Sequence, residues 1–235
     1  GFHSNDARGV IYRTDPSTGM RSSPVPALVG SFGKEIGVRT TIVPGLQSSL
    51  SLWSLNSESE LIYSADSSIG STEPNGGSKR YGVEWSNDHA LNDWLLLDMD
   101  LAWTHARYAN RNDNGDAGDF IPNAVPKVAT FGFTARDIGP WTFDAKLRYI
   151  GKYPLSQNGT LVGLSAFVTN LRAERGLSPS ASLSLDILNL FNRKYYDVAY
   201  EQDSRVTPAS PIVPAGITGH PGEPREFRLT LKLKI

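Results

Sequence analysis

The sequence predicts an all-β fold, an antiparallel transmembrane β-barrel of which this chain supplies about nine strands. Segments in which apolar and polar residues alternate recur along the chain, and most approach the roughly 9–11 residues of a tilted membrane strand. Short turns and long polar loops alternate between these segments, as in outer-membrane barrels. Aromatic residues lie toward the segment ends, as in the girdles at the two faces of a bilayer.

The amino-acid composition excludes several other classes of protein. The 235 residues carry a net charge of −1, which predicts no electrostatic attraction to nucleic acid. Cysteine is absent, so the chain has neither disulfides nor thiolate metal sites. No apolar run approaches the roughly 18 residues of a spanning helix. A closed barrel is therefore the membrane structure that remains.

Nine segments show the alternation of a strand with two different faces. The last is the clearest, because Phe227, Leu229 and Leu231 alternate with Arg228, Thr230 and Lys232. The second is expected to begin near Leu50 and to run on to Tyr63. In chain order, the segments are 32–42, 50–63, 80–86, 97–104, 130–134, 141–149, 167–174, 182–187 and 227–235.

The connections between the segments fall into two groups of different length. The short turns are at 44–46, 91–93, 138–140 and 178–179. The long polar loops are near 64–79, 107–126, 152–164 and 193–224. This alternation predicts periplasmic turns, extracellular loops and a periplasmic C-terminus. A soluble β-sandwich would also alternate, but it would not explain the loop lengths or the aromatic positions, which are Trp94 and Trp141 after turns and Tyr63, Trp103 and Tyr149 near loops.

The strand count and the predicted lumen indicate part of a larger barrel. Bacterial single-chain barrels have an even number of strands, and nine are counted, with a further stub at 1–13. A barrel of about eight strands has little room beyond its own side chains. The predicted lumen face is too rich in long charged groups for that: Arg39, Glu84, Lys146, Arg148, Arg172, Glu174, Arg228 and Lys232. An unpaired first strand would also leave a hydrogen-bonding edge in lipid.

Four stretches resemble one known family. Residues 185–195, LDILNLFNRKY, resemble the penultimate strand of TonB-dependent receptors, and 221–231 resemble the end of their last loop and final strand. Residues 1–9 and 80–85 are similar to one branch of the family. The resemblance implies a barrel of about 22 strands that encloses a plug. Residues 1–235 would be its C-terminal part, without the plug. The final Ile235 departs from the aromatic residue that commonly ends such barrels.

The resemblance also implies a function. Such receptors import a scarce nutrient through the outer membrane, most often a ferric siderophore, and otherwise cobalamin, haem or a glycan. The TonB complex supplies the energy through the N-terminal plug. The expected partners are outer-membrane lipid, that complex and an iron-siderophore or similar small ligand, and no resident cofactor is expected. A passive porin or a small barrel protein is the alternative.

An enzyme and a metal site are not expected. Residues 163–167 lack the second glycine of a nucleophile elbow. The four histidines have no ligand spacing, and the acidic loop at Asp113, Asp116 and Asp119 lacks the spacing of an EF-hand.

Candidate ligand contacts lie in the predicted outer loops, because binding residues concentrate on loops that a rigid scaffold supports. They are His3, Arg8, Tyr195, Tyr196, Tyr200, Arg205 and His220. The alternative interpretation is that the tyrosines anchor the barrel at the membrane interface and that His220 is a solvated loop residue.

Overall fold

A computed structural model of the chain describes residues 1–4, 28–64, 71–112, 118–205 and 207–234. Nine long strands form one antiparallel sheet within these ranges, which confirms the nine predicted segments. They are β2 (Leu28–Thr40), β3 (Leu46–Ser57), β6 (Ser78–Ala90), β7 (Leu95–Asn112), β9 (Lys127–Ile138), β10 (Trp141–Ile150), β13 (Ala166–Ser178), β14 (Ala181–Leu188) and β17 (Glu226–Leu233). Arg8 and most of the stub at 1–13, Asp113, Asp116 and Ile235 lie outside the described residues.

Eight short strands accompany the wall. They are β1 (Phe2–Ser4), β4 (Glu60–Ser64), β5 (Ser71–Asn75), β8 (Gly118–Phe120), β11 (Tyr153–Pro154), β12 (Val162–Gly163), β15 (Tyr196–Ser204) and β16 (Val213–Pro221). The first pairs with β2 and β8 pairs with β7, while the other six form three hairpins within the long loops. Among the described residues no pairing joins the two ends of the main sheet, so the barrel is open.

Register separates the two faces as the alternation predicted. One row across four strands joins Ala145, Leu171, Ile187 and Phe227. The neighbouring row, on the opposite face, joins Asp144, Arg172, Asp186 and Arg228. A slip of one residue would exchange these rows, so the need to keep the apolar side chains together on one face fixes the register.

The second wall strand is shorter than predicted. We expected it to continue to Tyr63, but β3 ends at Ser57 and a separate hairpin begins at Glu60. The backbone N–H of Glu58 donates to the carbonyl of Gly30, and the Glu58 carboxylate accepts from the N–H of Gly30 at 3.1 Å. Because Glu58 bonds to the neighbouring strand in this way, it ends the regular ladder there.

The long loops pack against one another instead of lying free in solvent. Ala106 and Tyr108 at the loop end of β7 form one buried cluster with Ile121. Tyr153 and Leu155 form another with Ala199 from the last loop, which is 0% exposed. Val125, from the same loop as Ile121, packs against this second cluster, so side chains of three separate long loops form a common cover at this end of the wall.

Glycine is required at the first turn by both conformation and space. Gly45 has φ +76°, and a Cβ there would lie 2.3 Å from the carbonyl oxygen of Ala90. Gly139 has φ +63°, but a Cβ there would meet nothing within 4 Å. Gly45→Ala is therefore expected to destabilise the full-length protein by about 2–4 kcal/mol and Gly139→Ala by about 1 kcal/mol. Urea unfolding in lipid vesicles measures both, and equal losses would contradict the role of the Ala90 contact.

Candidate functional site

Most charged side chains on the lumen face of the last four wall strands are paired. Arg172 lies 2.8 Å from Glu174 and 3.5 Å from Asp186. Arg228 lies 2.6 Å from Glu226, and the Thr134 hydroxyl donates to Asp144 at 2.8 Å. These contacts join neighbours on one strand or on adjacent strands, so the charges in this part of the lumen wall are accounted for by structural pairing.

Two cations nearer the loop end of β10 differ from this pattern. Lys146 lies opposite Asn170 and Arg148 lies opposite Val168, so neither has an acidic cross-strand neighbour on β13. Among the described residues, no salt bridge involves either side chain. Both line a cavity of about 300 Å³ with Asn170, Tyr195 and Glu223. The cavity therefore places two cations beside one phenol and one carboxylate.

The base of the last loop forms the upper wall of this cavity, and Asn189 fastens it. Asn189 is 2% exposed. Its amide group donates to the carbonyl oxygens of Arg193 and Glu223 at 2.9 and 2.8 Å. Its side-chain oxygen accepts from the N–H of Arg193, and its own N–H donates to the Asn170 side chain. One buried residue thus joins the beginning of the loop, the end of the loop and strand β13.

The neighbouring residues complete the loop base. The Asn192 side-chain oxygen accepts from the N–H of Arg225 at 3.0 Å. The Tyr195 ring lies against Gly222, where a Cβ would come within 2.2 Å of the ring. Asn189 and Asn192 both have positive φ, at 48° and 50°, a conformation that asparagine tolerates better than most residues. The NLFN sequence is therefore a structural clamp that sets the position of Tyr195.

Of the predicted ligand contacts that the structure describes, Tyr195 lines the cavity. Its role as a ligand contact stays a prediction. Tyr196 and Tyr200 lie on β15, where the Tyr196 ring covers Gly219 and the Tyr200 side chain is half-buried. Arg205 donates to the carbonyl of Pro208 at 3.1 Å, and His220 is exposed on β16. These four residues share the last loop with Tyr195 but stand away from this cavity.

The two N-terminal candidates remain predictions. The backbone of His3 pairs with Val29 at the edge of the sheet, and its side chain is outside the described part. Arg8 is also outside it.

A second cavity, of about 340 Å³, lies between the loop end of β7 and the loops on either side of β9 and β10. Trp103, Arg107, Phe120 and Tyr153 are among its lining residues. The Arg107 guanidinium stacks 3.8 Å from the centre of the Phe120 ring and pairs with Asp119 at 3.3 Å. Burial raises the pKa of the Tyr153 phenol above its ordinary value.

Sequence reasoning missed Asn170 and Glu223 as lining residues of the first cavity. It did place Lys146 and Arg148 on the lumen face. Nothing in the alternation distinguishes these two cations from the paired ones, because pairing depends on which residue the register sets opposite.

The described ranges contain neither a metal-binding cluster nor a membrane-spanning helix. No group of three or more histidine, aspartate or glutamate side chains there is arranged to hold a metal ion. The same ranges contain no helix that is long and apolar enough to cross a membrane.

The fold and the polar lumen define a class, the wall of a large antiparallel membrane barrel with packed outer loops. The family described as "TonB dependent receptor-like, beta-barrel" matches residues 12–190, more than half of the chain. The chain therefore belongs to the TonB-dependent receptor β-barrel family. Members of this family are transport receptors, and their barrels reside in the bacterial outer membrane.

Solved structures agree on the fold. The ferric-catecholate import receptor Fiu from E. coli K12 matches with a TM-score of 0.68 at 19% identity, over 88% of this chain and 28% of that one. The ferric yersiniabactin uptake receptor FyuA from Yersinia pestis matches with a TM-score of 0.73 at 13% identity, over 94% of this chain and 32% of that one. The copper transporter OprC matches with a TM-score of 0.64 at 16% identity, over 88% of this chain and 31% of that one. No curated protein sequence matches the chain.

This chain spans less than a third of the length of those receptors. At these identities the likeness concerns the fold of the barrel wall alone.

Proposed function

We propose that this chain is the C-terminal part of the barrel of an outer-membrane receptor that takes up a ferric siderophore or a similar anionic metal chelate. The single observation that carries the proposal is the cavity under the last loop, where Lys146 and Arg148 face residues without charge on β13 and, among the described residues, form no salt bridge. The similar structures include receptors for ferric-catecholate import and ferric yersiniabactin uptake and a ferric citrate transporter, which supports the same ligand class.

The chemistry of the cavity suits such a ligand. A siderophore complex is bulky and carries oxygen donors around the metal, and many of these complexes are anionic. Lys146 and Arg148 supply charge, and Arg148 has the planar fork that binds carboxylate or phenolate oxygens in pairs. Tyr195 adds an aromatic face and a hydroxyl. The clamp at Asn189 holds this phenol in place before the ligand arrives, which lowers the entropy cost of binding.

The proposed orientation follows from the connections. The long loops that cover one end of the wall are extracellular, and the short turns and the C-terminus are periplasmic. In this arrangement the cavity faces the outer entrance. The TonB complex acts on a plug encoded before Gly1, so this segment supplies binding surface and wall while the energised step belongs to the plug.

A charge-neutralising double variant tests the cavity. In the full-length receptor, K146Q/R148Q is expected to weaken binding of ferric siderophores at least tenfold, because each charge-assisted hydrogen bond contributes about 1.5–3 kcal/mol. Quenching of tryptophan fluorescence during titration with catecholate, hydroxamate and mixed-ligand ferric complexes measures the affinity. The control K232Q/K234Q removes the same charge from the turn end of β17 and is expected to change affinity less than twofold.

Two outcomes would overturn the proposal. Equal affinities for the wild type and K146Q/R148Q, with at least one complex bound, would exclude the cavity as the ligand site. No binding of any ferric complex, together with stable open-channel conductance in planar bilayers, would instead support a passive porin.

A further inference from the structure

One row of the lumen wall places a carboxylate and an amine on either side of a glycine. Asp98 on β7 lies directly opposite Gly132 on β9, and Gly132 lies directly opposite Lys146 on β10. Lys146 is one of the two cations that line the cavity under the last loop. A single strand therefore separates Asp98 from Lys146, at about 10 Å from backbone to backbone.

The Asp98 side chain leans over the glycine toward Lys146. A Cβ at Gly132 would come within 2.4 Å of both carboxylate oxygens of Asp98. The carboxylate consequently occupies the space that a side chain on β9 would fill. Because Gly132 leaves this space open, the carboxylate comes within reach of the flexible four-carbon stem of Lys146.

Charge explains the direction of this lean. On its other side, Asp98 lies directly opposite Asp88 on β6. Two carboxylates directly across a strand pair repel each other, whereas a carboxylate and an ammonium group attract. Asp98 therefore turns away from Asp88 and toward Lys146. Among the described residues neither Asp98 nor Lys146 forms a salt bridge, so the two charges face each other without a fixed contact.

Two neighbouring carboxylates of the lumen wall are held by threonine hydroxyls instead. The Thr130 hydroxyl donates to Asp100 at 3.1 Å, and the Thr134 hydroxyl donates to Asp144 at 2.8 Å. In the described part of the chain, the Asp98 carboxylate accepts no such hydrogen bond. Asp98 is therefore free to change partner, whereas Asp100 and Asp144 are committed to theirs.

We propose that Asp98 is a specificity-determining residue of the cavity, because it competes with an anionic ligand for the Lys146 ammonium group. The lysine stem reaches either group, so pairing with Asp98 and binding of the chelate exclude each other. Asp98 thus limits how tightly the cavity holds an anion, which suits a receptor that must release its cargo. This inference rests on the proposed ligand site.

Titration of the full-length receptor with an anionic ferric tris-catecholate, followed by tryptophan fluorescence, tests the inference. Asp98→Asn keeps the shape of the side chain and removes its charge. We expect it to tighten binding about fivefold at physiological ionic strength, and we expect the gain to shrink in about 0.5 M salt. A merely structural role of Asp98 would not produce a gain that depends on salt.

A second variant moves the carboxylate without changing any charge. In Gly132→Ala the added Cβ displaces the Asp98 carboxylate from its place beside Lys146. Binding is therefore expected to tighten as in Asp98→Asn, by about twofold or more, and alanine at 132 is expected to add nothing once Asp98 is asparagine. This variant also decides the question if Asp98→Asn fails to fold.

Two further comparisons show whether the effect acts through Lys146. D98N/K146Q is expected to bind within about twofold of K146Q alone, since the competition needs the ammonium group. Glu35→Gln is the matched control and is expected to leave affinity within about twofold of the wild type. Glu35 lies on the same lumen face, but β2 is five strand spacings, or about 24 Å, from β10, well beyond the screening length.

The outcomes separate this inference from the proposed function. Unchanged affinity in both D98N and G132A, together with weaker binding by K146Q/R148Q, would overturn the inference and leave the proposed function standing. An equal gain from D98N with and without Lys146 would also overturn it. A wild type that binds no ferric complex would overturn the proposed function itself, and this inference with it.

Discussion

Replacing Asn189 with alanine is expected to open the base of the last long loop. The change removes three hydrogen bonds, two to carbonyl oxygens and one from the N–H of Arg193. At about 1 kcal/mol each, and with about 1 kcal/mol more for alanine at φ 48°, the total is about 4 kcal/mol. Hydrogen exchange measures this loss of free energy directly. A loss of that size would raise the exchange rate of the amides at the loop base by roughly a thousandfold.

Two matched variants separate the causes. Asn189→Asp keeps the shape and the acceptor, but it places a carboxylate oxygen against the carbonyl oxygens of Arg193 and Glu223 in a buried site, while Asn189→Gly relieves the backbone and loses all three side-chain bonds. We expect the order of protection to be wild type, then glycine, then alanine and then the aspartate variant. Unchanged exchange at the amides of Arg193 and Arg225 in the alanine variant would show that Asn189 is not the clamp. If the clamp positions Tyr195 for a ligand, siderophore binding weakens in the same order.

Placing an arginine at position 229 is expected to destabilise the barrel by about 2–4 kcal/mol, the cost of a cation on the lipid face at mid-bilayer. Leu229 is 71% exposed on the outward face and lies opposite Leu185, midway along β17. Leu229→Arg in the full-length receptor therefore exposes a charge to hydrocarbon. Equilibrium unfolding in phospholipid vesicles by guanidinium measures the loss.

The adjacent position supplies the control. Thr230 lies opposite Ser184 on the lumen face, so Thr230→Arg adds the same side chain to a polar surface. We expect a change below about 1 kcal/mol, as for exposed substitutions in general. A greater loss for Thr230→Arg than for Leu229→Arg would mean that the two faces are assigned the wrong way round.

The sequence by itself determined the wall. Period-two alternation is a local property, and membrane strands need an apolar outer face along their whole length, so Trp141 to Tyr149 already specified β10 and its two faces. Turn chemistry did the same at Gly45 and Gly139, because glycine adopts positive φ at the lowest cost of any residue. The end of β3 was harder to place, because the bond that stops it involves Gly30, twenty-eight residues away.

Tertiary structure decided which residues act together. Whether a lumen charge is paired depends on register: Asp144 meets Arg172, whereas Lys146 meets Asn170 only two residues later. In the sequence the last loop is simply a polar stretch. In the structure its hairpin and the Asn189 contact with Glu223 close the loop base. Tyr195 then lines the same cavity as Lys146 and Arg148. Those contacts join residues tens of positions apart. Local propensity has no information on them, because their free energy appears only once the strands are assembled.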